Sequence, residues 1–294
     1  MNEMSLRFLR HAQGSFGPLG MNAAHQFAAD HALSLYARNA VFTFIPKNGC
    51  TSLRYSAALD NQVIDGPDNL EWIHKNNPSF RPTLRELRTA DYTSVVLRCP
   101  FRRLVSCFLH WIVEGHSQAS QLQAHALAHR MRLTGRIGEW LRKHLRGSFT
   151  ASPALLGSIT FADFVAMLET PGALLLDVHW RPQVDFLVYQ SYDDVFCLED
   201  TDNFIATLQA KVGFAVHDTR AITNHGNHER DRIRDGFFGR TGTRALRKLK
   251  TEMKVPAYER FFDADLYQRV SCLYQADIEL YARQFGQSAL MQLP

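Results

Sequence analysis

Three short runs of β-branched and aromatic residues constrain the fold of this chain more than any other feature. They are AVFTFI at residues 40–45, SVVL at 94–97 and DVFCL at 194–198. Each run is followed by polar or turn-forming residues and then by a stretch with helical periodicity. This order is typical of parallel strands joined by crossover helices. The sequence therefore predicts an α/β fold with a central parallel β-sheet flanked by helices.

The first run leads directly into the segment PKNGCTS at residues 46–52, and the helix-compatible run LRYSAAL follows it. A strand, a tight loop and a helix start aim backbone N–H groups and the positive end of a helix dipole at one point. Gly49 lets the backbone approach a ligand, and Lys47 adds a positive charge. Thr51 and Ser52 offer hydroxyl groups. The segment predicts a site for phosphate or sulfate.

This loop is not a Walker A motif, because its lysine precedes the glycine and the pattern GxxxxGK[ST] is absent. The difference argues against an ordinary ATP or GTP enzyme. Taken alone, the loop leaves two interpretations open, since a structural turn that binds no ligand has a similar composition.

The second run continues as VVLRCPFRRLVS at residues 95–106. Arg98 falls where the strand ends, at the carboxyl edge of the sheet, where ligands of open α/β folds bind. Pro100 suits the first position of a helix, and Ser106 follows about two turns into that helix, three residues after Arg103. An arginine and a hydroxyl group near a sheet edge predict a second phosphate site.

Composition narrows the class of protein. The chain has 294 residues, of which 46% are hydrophobic and 21% charged, and its formal charge of +4 suits an anionic ligand but is low for a dedicated nucleic-acid binder. The 5 cysteines are widely spread without a CxxC pair, so neither a disulfide framework nor a zinc site is indicated. With no signal-peptide-like or membrane-spanning apolar run, we expect a cytoplasmic, bacterial protein without a membrane anchor.

At this point the sequence resembles a known family. PKNGCTS resembles the 5′-phosphosulfate loop of PAPS-dependent sulfotransferases, and RCPFRRLVS resembles their element for the 3′-phosphate. A third match, DVHWRPQ at residues 177–183 followed by YDD at 192–194 and LED at 198–200, is similar to segments of carbohydrate sulfotransferases. The resemblance points to members of the chondroitin 4-O and HNK-1 type, in sulfotransferase family 2.

The resemblance implies a P-loop-like, three-layer fold and a single sulfotransferase domain over residues 1–294, with its core at 38–215 and a C-terminal helical part at 245–294. It implies PAPS as donor, PAP as product, no metal and no nucleic acid, and the hydroxyl of a carbohydrate as acceptor. Lys47 would stabilise the transferring group, and His179 is the candidate base, with Glu199 as second choice. The residues assigned to the donor are Pro46, Lys47, Asn48, Gly49, Cys50, Thr51, Ser52, Arg98, Ser106 and Arg240.

Several other segments have more than one interpretation. The basic stretch at residues 129–146 suits an anionic polysaccharide, but a solvated helix face explains it as well. The histidine cluster NHGNH at residues 224–228 lacks clear metal-ligand spacing and is interpreted as a loop near the active site. Trp180 and Pro182 are expected to pack and to shape the acceptor cleft. Aromatic residues at helical spacing over residues 258–285 predict one terminal helix.

Other functions compete with sulfuryl transfer. A P-loop-type nucleotide kinase would use a similar sheet, but it requires a Walker A lysine, which this loop lacks. A non-catalytic protein that binds anionic glycans would leave the ordered pair of phosphate motifs unexplained. A catalytically inactive sulfotransferase would retain Lys47, Arg98 and Ser106 for donor binding alone.

Overall fold

The computed structural model divides the chain into two compact units. One comprises Met1–Arg98 and Pro182–Asn224, and the other Cys99–Arg181 and His225–Pro294. The structure describes residues 6–12, 17–67, 70, 72–114, 157–219 and 231–293. The basic stretch at residues 129–146 and the histidine cluster at 224–228 lie outside these residues. No helix in the described ranges is long and apolar enough to cross a membrane.

The helices and strands are numbered along the described chain. The α-helices are α1 Ala23–Ala29, α2 Cys50–Asp60, α3 Trp72–Lys75, α4 Leu84–Thr89, α5 Pro100–Cys107, α6 Phe161–Leu168, α7 Thr201–Val212, α8 Thr243–Thr251, α9 Ala264–Leu273 and α10 Gln275–Phe285. The strands are β1 Ala32–Leu35, β2 Ala40–Thr43, β3 Tyr92–Leu97, β4 Asp194–Cys197, β5 Asp231–Ile233 and β6 Lys254–Pro256.

The first unit is built on a four-stranded sheet in the order β1-β2-β3-β4. Strands β2, β3 and β4 run parallel, whereas β1 pairs antiparallel with β2. The prediction of three parallel strands at these positions is confirmed. Strand β1 is not among the strands predicted from the sequence, because its four residues carry no distinctive turn signal or alternation.

Both faces of this sheet are covered, which explains why β1, β2 and β3 are buried at every position. Leu33 and Phe42 pack in one cluster with residues of α2 and α7. Their sequence neighbours Ala32 and Val41 point the other way and pack in a second cluster with residues of α1 and α4. Because strand residues alternate between faces, the first unit has three layers with the sheet in the middle. The predicted α/β, P-loop-like fold class is confirmed.

The second unit begins with α5, which has Pro100 at its first position as the sequence predicts. A π-helical turn, Phe108–Val113, continues α5 without a break. Its core is aromatic, with Phe161 packed edge-on against both Phe108 and Phe261. A small parallel pair, β5 with β6, is joined through α8.

The prediction of one helix over residues 258–285 is wrong. The structure has a 3-10 turn at Tyr258–Phe261, then α9 and α10. Asp263 starts α9 by accepting a hydrogen bond from Leu266 N. At Tyr274 the backbone leaves helical geometry, with φ −116° and ψ 28°. The hydroxyl of the Tyr274 side chain donates a hydrogen bond to Trp180 O at 2.5 Å. The cap and this tertiary hydrogen bond divide a stretch that periodicity alone would join.

Candidate functional site

The carboxyl ends of β2, β3 and β4 meet at one edge of the sheet. The parallel register pairs Thr43 with Val95 and Leu97 with Cys197. The loop at residues 46–52, Arg98 and Glu199 follow directly after these three strand ends. This edge therefore gathers the loop at residues 46–52 and Arg98, the part of the second phosphate motif that lies in the first unit, as expected for parallel α/β sheets.

The loop leads into α2 in a conformation suited to an anion. Pro46 and Asn48 are buried, Lys47 is half-buried and Gly49 is exposed. Gly49 is the N-cap of α2, makes no side-chain cap and is followed by a first turn without acidic residues. The positive end of the helix dipole is thus not neutralised by a carboxylate within α2. Cys50 is half-buried at the first helical position.

Glycine is required at position 49 for two reasons. Its φ of 75° lies in the left-handed region, where other L-residues are strained. In addition, a Cβ atom here would lie 3.2 Å from Leu198 Cδ1, closer than an ordinary van der Waals contact. Lys47 also has a positive φ, 72°, which is uncommon for a residue with a side chain. Two left-handed residues within three positions give this loop a specific shape.

Arg98 links the two motifs at the sheet edge. Its guanidinium donates to Lys47 O at 2.9 Å, so the arginine directly supports the backbone of the loop. Its Nε lies 3.9 Å from Glu199 Oε1, a long ion pair. The structure thus brings Arg98, the Lys47 loop and Glu199 together.

The two predicted hydroxyl donors differ in their surroundings. Ser52 Oγ lies 2.9 Å from Thr219 Oγ1 and accepts a hydrogen bond from Thr219 N at 3.2 Å. Ser56, one turn later, accepts from His217 N at 2.7 Å. Thr51 is half-exposed in the first turn of α2. The hydroxyl of Ser52 therefore also holds the 217–219 segment against α2.

The segment at residues 192–194, which resembles the family motif, supports the sheet. The hydroxyl of Tyr192 lies 2.8 Å from Thr43 Oγ1 and accepts from Val188 N, and burial raises the pKa of Tyr192 to about 12. Asp194 accepts from the hydroxyl of Tyr92 at 2.6 Å. These are structural contacts between strands and the loops beside them.

Asp193 is held in the same way. It accepts hydrogen bonds from the backbone N–H and the hydroxyl of Thr93, and pairs with Arg7 at 2.9 Å. Burial alone would raise the pKa of Asp193, but the hydrogen bonds from Arg7 and Thr93 hold it below its usual value. Asp193 therefore stays ionised and anchors the start of β4.

In the second unit, His179 is oriented by two neighbours. Its Nδ1 lies 2.6 Å from Asp177 Oδ1, and the same oxygen accepts from His179 N at 2.8 Å. The ring of Trp111 packs on the imidazole, with centroids 4.2 Å apart and planes at 51°. A carboxylate at Nδ1 fixes the tautomer and leaves Nε2 as the nitrogen that can accept a proton. This is the arrangement expected of a positioned base.

Two residues near His179 are structural. Arg103 is buried and donates to Arg181 O at 2.9 Å and Val178 O at 3.3 Å, so it anchors the backbone around His179. Trp180 is buried and donates to Ala173 O at 3.0 Å. Trp180 therefore packs in the core of the second unit, and its role in shaping the acceptor cleft stays a prediction.

Ser106 and Arg240 also belong to the second unit. Ser106 is half-buried on α5. The side chain of Arg240 is 68% exposed and lies 3.7 Å from Asp263, a weak surface ion pair. The adjacent Gly239 is tightly packed, because a Cβ atom there would clash with Phe261 O. Arg240 therefore extends to solvent from a closely packed turn.

Sequence reasoning assigned no role to Asp177, Trp111 or Gln183, although each contacts a residue predicted to be functional. The spacing of Asp177 and His179, two residues apart, was a usable signal, because an aspartate often bonds the backbone two residues on. Trp111 reaches His179 through the π-helical turn, which helical periodicity does not predict. Gln183 contacts residues 135 and 85 positions away, so no local pattern could have identified it.

Comparison with known proteins gives one result. A family model described as "Sulfotransferase family" matches residues 36–283, well over half of the chain. No curated protein and no solved structure matches the chain. The matched range includes the 46–52 loop, Arg98, the 177–183 segment and Arg240.

Proposed function

The chain belongs to the sulfotransferase family, and on that premise we propose that it transfers the sulfuryl group of PAPS to a hydroxyl of a carbohydrate. The observation that carries the proposal is the convergence of the Lys47 loop and Arg98 at one sheet edge. A cationic loop at a helix start suits the 5′ side of such a donor. A second cationic group beside it suits the 3′-phosphate, which distinguishes PAPS from simpler nucleotides.

The residues of the loop fit an anionic donor. The uncapped start of α2, the exposed Gly49 and the half-buried Lys47 offer N–H groups and a cation without a competing acid in the first turn. Pro46, Asn48 and Cys50 shape this loop, and Thr51 and Ser52 add hydroxyl groups. Arg98 and Ser106 are assigned to the 3′-phosphate, and Arg240 is a further cation for it.

PAPS supplies the sulfuryl group and leaves as PAP. The acceptor oxygen forms a new bond to sulfur while the bond from sulfur to the 5′-phosphate oxygen breaks, and the acceptor proton goes to the base. Lys47 stabilises the negative charge that develops on the bridging oxygen. Catalysis of this kind depends mainly on positioning and charge stabilisation, so cationic side chains and backbone N–H groups suffice without a metal.

His179 is the proposed base, with Asp177 as a positioning residue. The Asp177 carboxylate stabilises the imidazolium that forms when Nε2 takes the proton. Glu199 is the second choice for the base. Its proximity to the Arg98 guanidinium favours an electrostatic role.

The remaining points of the proposal rest on family resemblance. The matching segments and the composition support a carbohydrate acceptor, a single sulfotransferase domain and a cytoplasmic, bacterial setting. They are proposals about this protein, and a test of donor binding comes before any search for an acceptor.

The proposal is tested by calorimetric titration of the purified protein with PAP and with ATP, in the absence of added metal. We expect PAP to bind, ATP to bind more weakly and Arg98→Ala to remove PAP binding. Arg7→Ala is the matched control, because Arg7 also bonds a backbone carbonyl and a carboxylate in the first unit. Arg7→Ala should leave the Kd for PAP unchanged.

Two results would overturn the donor assignment. One is absence of PAP binding to the wild-type protein, and the other is tighter binding of ATP with Mg²⁺ than of PAP. The second result would favour a nucleotide kinase. If PAP binds but no sulfate reaches any hydroxyl acceptor, the protein is a donor-binding member of the family without transfer activity.

A further inference from the structure

Gln183 occupies an unusual place for a polar side chain. It is 1% exposed, and it starts the short 3-10 turn Gln183–Phe186, directly after Pro182. A buried amide must have hydrogen-bond partners, because an unsatisfied one destabilises the fold. The partners of Gln183 are parts of the two predicted phosphate motifs.

Both polar atoms of the Gln183 side chain form hydrogen bonds. Its Nε2 donates to Arg98 O at 2.9 Å, and its Oε1 accepts from Arg98 N at 3.1 Å. The same Oε1 accepts from Asn48 Nδ2 at 2.6 Å. One side chain therefore bonds the backbone of Arg98 twice and the anion loop once.

Neighbouring contacts close a circuit around this amide. Asn48 Nδ2 also donates to Val96 O at 2.9 Å, and the Arg98 guanidinium donates to Lys47 O at 2.9 Å. Lys47, between these contacts, holds a positive φ of 72°. A strained backbone persists only where its surroundings determine it, and the circuit supplies that restraint.

We propose that Gln183 is a positioning residue that holds the Lys47 loop and Arg98 in one fixed arrangement and thereby sets the affinity for the donor. This inference rests on the proposed function for the identity of the donor, PAPS. Gln183 acts through other residues and is not itself assigned a contact with the donor. Its effect is preorganisation, which raises affinity by removing the entropy loss of ordering the site on binding.

The chemistry requires glutamine in particular. Glutamate retains the acceptor for Asn48 and Arg98 N but places an oxygen against Arg98 O, and it buries a charge. Methionine has a similar length but can neither accept nor donate a strong hydrogen bond. Gln183→Met therefore removes all three hydrogen bonds, whereas Gln183→Glu removes the donor alone.

The experiment measures PAP binding by calorimetry in wild type and both variants. We expect a rise in Kd of about 10- to 100-fold for Gln183→Met, from the loss of three buried hydrogen bonds. With an acceptor in hand, the KM for PAPS should rise while the KM for the acceptor stays unchanged. A purely structural role would lower the folded fraction and the binding stoichiometry and leave Kd unchanged.

Asn61→Ala is the matched control. Asn61 is also an amide side chain of the first unit, and it bonds Ser34 O and Tyr36 N. Its loss should lower Tm without changing the Kd for PAP. If Gln183→Met fails to fold, Asn48→Ala tests the same circuit from the loop side and should also weaken PAP binding.

Hydrogen exchange separates this inference from the proposed function. In the absence of any nucleotide, the amides of residues 47–52 and Arg98 should exchange faster in Gln183→Met than in wild type or Asn61→Ala. Unchanged exchange together with wild-type PAP affinity overturns the positioning role, even if Arg98→Ala abolishes binding. Faster exchange in a protein that does not bind PAP overturns the donor assignment and retains the positioning of the two motifs.

Discussion

At the scale of single residues, the anion loop depends on backbone conformation as much as on charge. Lys47 and Gly49 both have positive φ, and Asn48 between them is buried and bonded to Val96 O. Only glycine adopts the left-handed region without strain, whereas a residue with a Cβ atom loses about 1 to 2 kcal/mol there. The loop can present N–H groups to an anion because its shape is set before a ligand arrives.

Gly49→Ala tests this directly. The alanine is strained at φ 75° and its Cβ crowds Leu198, so we expect a loss of about 1 to 2 kcal/mol of stability and at least a tenfold rise in the Kd for PAP. Gly172→Ala is the control, because Gly172 has a φ of 80° and a Cβ atom there would meet nothing within 4 Å. Thermal melts should show a loss of stability for both variants, and calorimetry should show weaker PAP binding for Gly49→Ala alone.

The pair of Asp177 and His179 yields a second residue-scale prediction. His179→Ala should lower kcat by about 10²- to 10⁴-fold, the usual contribution of a general base. Asp177→Asn should lower kcat less, because the imidazole keeps a hydrogen-bond partner but loses the charge that stabilises its protonated form. Neither variant should change the Kd for PAP. A His179→Ala enzyme with wild-type kcat would remove the base assignment and leave the family assignment intact.

At the scale of elements, the π-helical turn Phe108–Val113 is the feature that positions the surroundings of His179 in the second unit. It carries Trp111 onto the imidazole ring, and it ends at Glu114, which pairs with both His110 and Lys250 of α8. Arg247, also in α8, donates to Val113 O at 2.6 Å. Turns of this type are rare and often occur at functional sites. Here α8 supports the turn through polar contacts from Arg247 and Lys250.

Glu114→Gln tests how far these polar contacts stabilise the fold, and its effect on stability should depend on pH. Burial alone would raise the pKa of Glu114, but the hydrogen bonds from His110 and Lys250 hold it well below its ordinary value. A depressed carboxyl pKa stabilises the fold fully above the unfolded value of about 4.5, and this stability is lost as the pH falls through the folded pKa. We expect the free energy of unfolding of the wild type to exceed that of Glu114→Gln by about 1 to 3 kcal/mol at pH 7.

The difference in free energy of unfolding between wild type and Glu114→Gln should narrow as the pH falls below about 4, towards the pKa at which folded Glu114 takes up its proton. Denaturant unfolding at several pH values measures it. Glu169→Gln serves as the control, since Glu169 pairs with Arg269 near the surface and such pairs contribute about 0 to 1 kcal/mol. Equal free energies of unfolding for wild type and Glu114→Gln at pH 7 would show that the ion pair between Glu114 and Lys250 does not stabilise the fold.

At the scale of the whole molecule, the residues assigned to function are divided between the two compact units. Lys47, Arg98 and Glu199 belong to the first, and Ser106, His179 and Arg240 to the second. The chain leaves the first unit after Arg98 and re-enters it at Pro182, within the family-like segment at residues 177–183. This segment therefore contributes His179 to one unit and Gln183 to the other.

Donor binding should appear as stabilisation of the whole protein. A ligand that binds only the folded state stabilises it by about 2.7 kcal/mol at 100 times its Kd. For a chain of this size that is a rise in Tm of roughly 4 °C. We expect the rise with PAP, a much smaller one with AMP, which lacks the 3′-phosphate, and none with inorganic phosphate at the same concentration. Equal shifts with AMP and PAP would contradict a site for the 3′-phosphate.

Patterns that repeat over a few residues were sufficient for much of the fold. The β-rich runs predicted β2, β3 and β4, and Pro100 predicted the start of α5, because strand alternation and helix caps are local properties. Periodicity failed over residues 258–285, where Asp263 and Tyr274 interrupt a helix that the apolar spacing would continue. The antiparallel strand β1 was not predicted, because its four buried residues show neither alternation nor a turn signal.

The sequence by itself determined the class of fold, the order of the strands along the chain and the two motifs at their ends, because these depend on neighbouring residues. Tertiary structure alone decided that Arg98 bonds the Lys47 backbone, that Trp111 covers His179 and that Gln183 joins two distant loops. Such contacts arise when buried polar groups satisfy one another across the fold. No spacing within the sequence records them, since the partners become neighbours only after the sheet has formed.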